Sequence, residues 1–314
     1  MHEEISVKDV YGSTLVEMAS ENENIVVVEA DLMRASGSEV FLKKFPQRHF
    51  QVGVAEQNLI GVGAGLAASG KIPFVSTFAN FASKRACDQA SISAAYNKLN
   101  VKICGTYAGL TSTKNGGTHI SVEDIAIFRS MPNMVVVVPA DTVELREAMK
   151  TIATYQGPVY LRMARGPMPR IFPENHKFAL GKSSILSEGD DATIISTGIM
   201  TYYALQAAKR LAAENINVKV INSSTIKPID EETILEAAES TGALVTVENH
   251  NIMGGLGSAV AEIVVERKPV PLKRIGIRDR FGETATLEWL LKNHKMAVPD
   301  IVDAVRRVLT MKGQ

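Results

Sequence analysis

The chain has 314 residues, 34 basic and 34 acidic side chains that cancel, 6% aromatic residues and two cysteines. Balanced charge and sparse aromatics give no footprint for nucleic acid or an anionic membrane, and two cysteines in unrelated contexts exclude a disulfide framework or a cysteine-based metal site. The length suggests two domains; no apolar stretch reaches spanning length and no charged-then-apolar leader precedes Ile5, so a cytoplasmic protein is expected.

Short Val/Ile-rich runs alternate with helical patterns, as in parallel sheets covered on both faces. Strands are expected over 25–29, 50–54, 73–76, 102–105, 134–138 and 159–163, with helices over 7–20, 56–69, 80–98, 122–129 and 143–155. A polar, proline-containing stretch over 166–190 then breaks the rhythm. Alternation restarts with strands over 192–197, 218–221, 244–248 and 273–277 and helices over 204–213, 231–240 and 257–266. The pattern predicts an α/β protein of two doubly wound domains: 1–170, a linker over 171–190, and 191–314.

Glu56 stands in Gly53-Val54-Ala55-Glu56-Gln57-Asn58, where a short strand gives way to an apolar helix. A carboxyl group there is expected to be short of water, a setting in which burial favours the neutral acid and suits it to proton traffic. About twenty residues on, Ser76-Thr77-Phe78-Ala79-Asn80-Phe81 spans a strand-to-helix turn, the usual place for ligand contacts in an open α/β sheet. Phe78 and Phe81 are three apart, so both rings can lie on one face and grip a flat heterocycle. The polar loop from Gly105 to His119 follows a buried strand, and His119 at its end can act as a general acid or a substrate donor.

Taken in order, these strings resemble the pyrimidine-binding domain of the transketolase family of thiamine-diphosphate enzymes, together with Asp88-Gln89, Gly116-Gly117-Thr118-His119, Phe128-Arg129-Ser130 and Val137-Val138-Pro139-Ala140-Asp141. Val247-Glu248-Asn249-His250 and Arg278-Asp279-Arg280-Phe281-Gly282-Glu283 resemble the family's C-terminal domain. The resemblance implies that Glu56 hydrogen-bonds a ring nitrogen of the cofactor's aminopyrimidine and thereby activates it. It implies that Phe78 and Phe81 stack on that ring, that Lys84 falls near a third, variable position, and that Asp31 is an acid near the cofactor. Arg165 matches an arginine that grips the phosphate or hydroxyl end of the sugar, Lys8 falls where a phosphate-binding arginine is common, and His119 matches a substrate contact. Tyr107 stands where a sugar-binding histidine is common and Asn115 where an aspartate is usual, so hydrogen-bond capacity differs at both.

The family's metal-binding Gly-Asp-Gly string, followed by an Asn, is missing; Glu188-Gly189-Asp190-Asp191 lacks the second glycine and the strand context. No metal site is expected here, and the diphosphate with its magnesium or calcium is expected on a partner: an N-terminal transketolase subunit, in an α2β2 assembly acting on phosphorylated sugars. Gly61-Val62-Gly63-Ala64-Gly65 lies inside a helix rather than at a strand-to-helix turn, so it reads as a packing feature, while Gly254-Gly255-Leu256-Gly257 precedes a helix and could receive an anion. Two other readings share the fold: the β subunit of a 2-oxo-acid dehydrogenase, and a non-catalytic partner that kept the architecture.

Overall fold

The structure is a computed structural model describing residues 6–313. Helix α1 (Val7–Glu21) buries Tyr11, Leu15 and Met18, spaced to share one face, and leads into the fully buried β1 (Ile25–Glu29). Next come α2 (Met33–Ser36), α3 (Glu39–Lys44), β2 (His49–Gln51), α4 (Glu56–Ala68) and β3 (Ile72–Phe78). The helix expected over 80–98 is broken into α5 (Ala79–Lys84), α6 (Cys87–Gln89) and a π-helical turn over Ala90–Tyr96. β4 (Lys102–Thr106), α7 (Asp124–Ser130), β5 (Val135–Val137), α8 (Thr142–Thr154) and β6 (Val159–Arg162) follow.

Within the stretch read as linker, β7 (Ser184–Ser187) forms an antiparallel edge on a later strand. The chain then runs through β8 (Ala192–Ser196), α9 (Met200–Ala212), β9 (Val218–Asn222), β10 (Thr225–Lys227), α10 (Glu231–Thr241), β11 (Leu244–Asn251) and α11 (Leu256–Arg267). It ends in β12 (Leu272–Ile277), α12 (Leu287–Asn293) and α13 (Val298–Lys312).

Two sheets result, ordered β10-β5-β6-β4-β3-β1-β2 and β12-β11-β8-β9-β7. Every pairing is parallel except β10 with β5 and β7 with β9. Strands buried on both faces explain the continuous apolar runs. β10 comes from the second half of the chain yet hydrogen-bonds the edge of the first sheet, joining the halves through backbone. A second joint is polar: Arg162 donates to Asp124 at 2.6 and 3.1 Å and to the Asn249 carbonyl at 3.0 Å, all in the interior. Burial alone would raise Asp124, but the charge and hydrogen bonds of Arg162 outweigh it and hold the carboxyl below its ordinary range.

Candidate active site

β3 is buried from Pro73 onward and delivers Phe78 and then Phe81 to the carboxyl edge of the first sheet. Their ring centroids are 5.7 Å apart. Tyr107, at the end of β4, has a left-handed backbone (φ 58), which a bulky residue adopts only at a cost of about 1–3 kcal/mol. That turn brings its ring to 4.8 Å from Phe78. His119 closes the group, 5.8 Å from Phe78 and 5.0 Å from Phe81, with Nδ1 2.9 Å from the Thr118 hydroxyl. Asn80 fixes the loop over this group by donating Nδ2 to the Thr118 carbonyl at 2.6 Å.

Arg165 lies on the other side of Tyr107, its guanidinium carbon 4.5 Å from that ring centroid, and Nη1 donates to Asn115 Oδ1 at 2.6 Å. Val7 N–H bonds to the Gly166 carbonyl at 3.1 Å, which brings the start of α1 beside Arg165. Lys8, Ser36, Tyr107 and Arg165 consequently line one cavity of about 210 Å³, with two cations and two hydroxyls around it. Such a lining is suited to an anion.

Glu56 opens α4 and is 3% exposed, so the expected burial is present. It is not unpaired. Arg85 Nη1 lies 3.3 Å from both carboxylate oxygens, and the same guanidinium carbon is 4.0 Å from the Phe81 centroid. A flat, hydrogen-bond-donating group thus already fits between the acid and the ring, which is the test the aminopyrimidine of thiamine diphosphate has to meet. Sequence reasoning missed Arg85, having placed a basic contact one residue earlier. Lys84 instead pairs with Glu123 at 2.9 Å and stands 5.9 Å from the Phe281 centroid.

Among the described residues, Asp31 and Lys84 share no hydrogen bond or ring contact with the aromatic group. Asp31 is exposed, left-handed at φ 60, and donates its N–H to Gln51 Oε1 at 2.6 Å. Behind it Glu29 is fully buried, accepts the Ser36 and Ser38 hydroxyls at 2.5 and 2.7 Å, and is pushed up to about 7 by burial.

The glycine run before α11 is closed to anions. Glu248 accepts from Leu256 N–H and Gly257 N–H, each at 2.8 Å, so the chain's own carboxylate fills that helix N-terminus. Gly255 is required there, because a Cβ would collide with Glu248. On α4, a Cβ at Gly63 would strike Val75, while Gly61 and Gly65 face open space. No cluster of three or more His, Cys, Asp or Glu among the described residues is arranged to hold a metal, and no described helix is long and apolar enough to cross a membrane.

The model described as "Transketolase, pyrimidine binding domain" matches residues 3–170, and "Transketolase, C-terminal domain" matches 181–301. The chain is 48% identical to the 6-deoxy-6-sulfo-D-fructose transketolase subunit of Clostridium sp. (strain MSTE9), over 99% of this chain and 97% of that one. A solved structure described as "Split gene transketolase, inactive beta4 tetramer" superposes with a TM-score of 0.92 at 46% identity, covering 98% of this chain and 99% of the other. Against human transketolase the identity is 32%, over 98% of this chain but 50% of the human protein. Two family models that together take in both sheets, and relatives of matching length, show that the chain belongs to the transketolase family, as a subunit with its pyrimidine-binding and C-terminal domains.

Proposed function

We propose that this chain is one subunit of a split, thiamine-diphosphate-dependent transketolase that moves a two-carbon ketol unit between sugars ending in phosphate. The observation that carries the reading is a buried acid, Glu56, sharing a planar partner with Phe81, whose aromatic group runs through Phe78 to Tyr107 on the wall of a separate cavity lined by Lys8 and Arg165. Thiamine diphosphate, when bound, supplies the nucleophilic carbon and the electron sink. Glu56 hydrogen-bonds a pyrimidine nitrogen and holds the proton there; Phe78 and Phe81 stack on the ring. His119 hydrogen-bonds the sugar near the reacting carbon. Lys8 and Arg165 hold its terminal anion, with Tyr107 and Asn115 fixing the arginine. Asp31 and Lys84 act at the rim of the cofactor site.

The diphosphate and its magnesium or calcium belong to a partner subunit, in an α2β2 assembly. That reading is supported by the missing Gly-Asp-Gly string, by Glu248 filling the helix start after Gly254-Gly255, and by the relative described as an inactive β4 tetramer. The division into 1–170, a linker to 190, and 191–314 is part of the same reading, as is a cytoplasmic setting, which suits free Cys87 and Cys104.

The test is co-purification with the product of the neighbouring reading frame, followed by a ketol-transfer assay with thiamine diphosphate and magnesium. Donors ending in phosphate and in sulfonate should be compared, since the sulfosugar relative points to the latter anion. Transfer by the complex and none by the lone chain is expected. Capture of lipoyl-bearing proteins would replace this reading with that of a 2-oxo-acid dehydrogenase subunit.

A further inference from the structure

The Arg85 guanidinium sits where two partners of a flat ring converge. Its Nη1 is 3.3 Å from both Glu56 oxygens, and its carbon is 4.0 Å from the Phe81 centroid. A guanidinium is planar, donates along its edge and stacks through its face. An aminopyrimidine bonded to Glu56 and stacked on Phe81 needs the same edge and the same face, so the two compete for one space.

Resting on the cofactor reading above, we propose that Arg85 is a positioning residue that latches the coenzyme seat. It keeps Glu56 aimed and compensated in the free subunit and is displaced when the ring enters. Glu56 is 3% exposed, whereas Arg85 is 52% exposed and has solvent to swing into. Arg85 also lies at the break between α5 and α6, so its side chain can leave without disturbing a continuous helix. Without the latch the free subunit would keep a buried carboxylate unpaired, which is strongly unfavourable.

The decisive measurement is calorimetric titration of thiamine diphosphate, at saturating magnesium, into the chain reconstituted with its diphosphate-binding partner. Arg85→Met should bind about three- to tenfold tighter than wild type, the scale set by one half-exposed ion pair and one cation–π contact. Arg85→Lys keeps the charge but not the fork and should fall between. In a Glu56→Gln background the gain from Arg85→Met should shrink to the part owed to the Phe81 contact, because Arg85 and Glu56 are coupled. A second readout needs no coenzyme: nitrogen NMR of the free subunit should show hindered rotation of the Arg85 guanidinium, released by Glu56→Gln. Equal or weaker binding by Arg85→Met, or a guanidinium that turns as freely in wild type as in Glu56→Gln, overturns the latch. A wild-type complex that binds no coenzyme overturns the proposed function instead, and the NMR comparison still decides the latch.

Discussion

Arg165 is held between Tyr107 and Asn115: its guanidinium lies 4.5 Å from the tyrosine ring centroid while Nη1 donates to Asn115 Oδ1 at 2.6 Å. With one N–H spoken for and the plane fixed, the remaining donors point a preset fork toward the cavity shared with Lys8. Arg165→Ala should therefore raise KM for a phosphorylated donor by about 10- to 100-fold, in line with loss of a charge-assisted contact worth about 1.5–3 kcal/mol. An unphosphorylated donor should be nearly indifferent. Steady-state kinetics of the reconstituted complex with both donors checks this, and equal losses would remove the terminal anion from the role of Arg165.

Glu56→Gln keeps size and shape and should leave the circular dichroism spectrum and assembly unchanged. Turnover should fall by about 10²- to 10⁴-fold, the range for a positioned acid–base group. Normal transfer by this variant would take Glu56 out of the chemistry.

Arg162 forms a buried pair with Asp124 and also bonds the Asn249 carbonyl of the second half, so losing one partner of the pair strands a charge. Arg162→Met should destabilise the fold by about 3–5 kcal/mol, read as a lower urea midpoint. Double replacement of Arg162 and Asp124 by apolar residues should recover much of that loss. No recovery would mean that the Arg162 bond to the Asn249 carbonyl matters more than the ion pair.

Glu144 gives a pH prediction of definite sign. Burial pushes it up to about 7, although Ser224, Ala140 and Asn222 donate to it. The folded chain therefore holds this proton more tightly than the unfolded chain does. Its contribution is full below the unfolded value near 4.5 and is lost as pH rises through about 7. Urea unfolding at pH 5 and pH 8 should show a decline, on the order of 3 kcal/mol at most from this residue. Glu144→Gln should flatten it; an unchanged slope would assign the decline to Glu29 and Glu248, which are raised likewise.

The second half of the chain reaches the loop over 105–119 directly. Ala285 N–H donates to the Thr113 carbonyl at 3.2 Å, and a Cβ at Gly117 would meet the Gly282 carbonyl at 2.8 Å. Ala285→Pro removes the donor and should speed hydrogen exchange over 113–119 while raising KM more than it lowers kcat. Unaltered exchange would show that the loop is held from the Asn80 side alone.

The α/β alternation was legible because strands buried on both faces carry runs of apolar residues, and β1, β3, β4 and β6 each hold such a run beside a few buried polar positions, Glu29, Ser76, Lys102 and Arg162 among them. β7 and β10 carry no such run: the first is a half-exposed edge and the second has three residues, placed by a sheet elsewhere in the chain. The aromatic pair, Tyr107, His119 and Arg165 could be read from loop position and resemblance. Arg85 could not, since Lys84 and Arg85 differ locally only in helix phase, and the break after α5 decides which one turns toward Glu56. The glycine run before α11 misled because the carboxylate that fills the helix start lies inside β11, eight residues upstream in Glu248.

β10 makes separate production of the two halves self-defeating. A truncation ending near residue 170 would bare the hydrogen-bonding rim of β5, a short apolar template inviting pairing with other chains. The remaining piece would carry a homeless ribbon, Thr225–Lys227, whose natural neighbour had been cut away. A division of this polypeptide between β6 and β10 would sever a sheet.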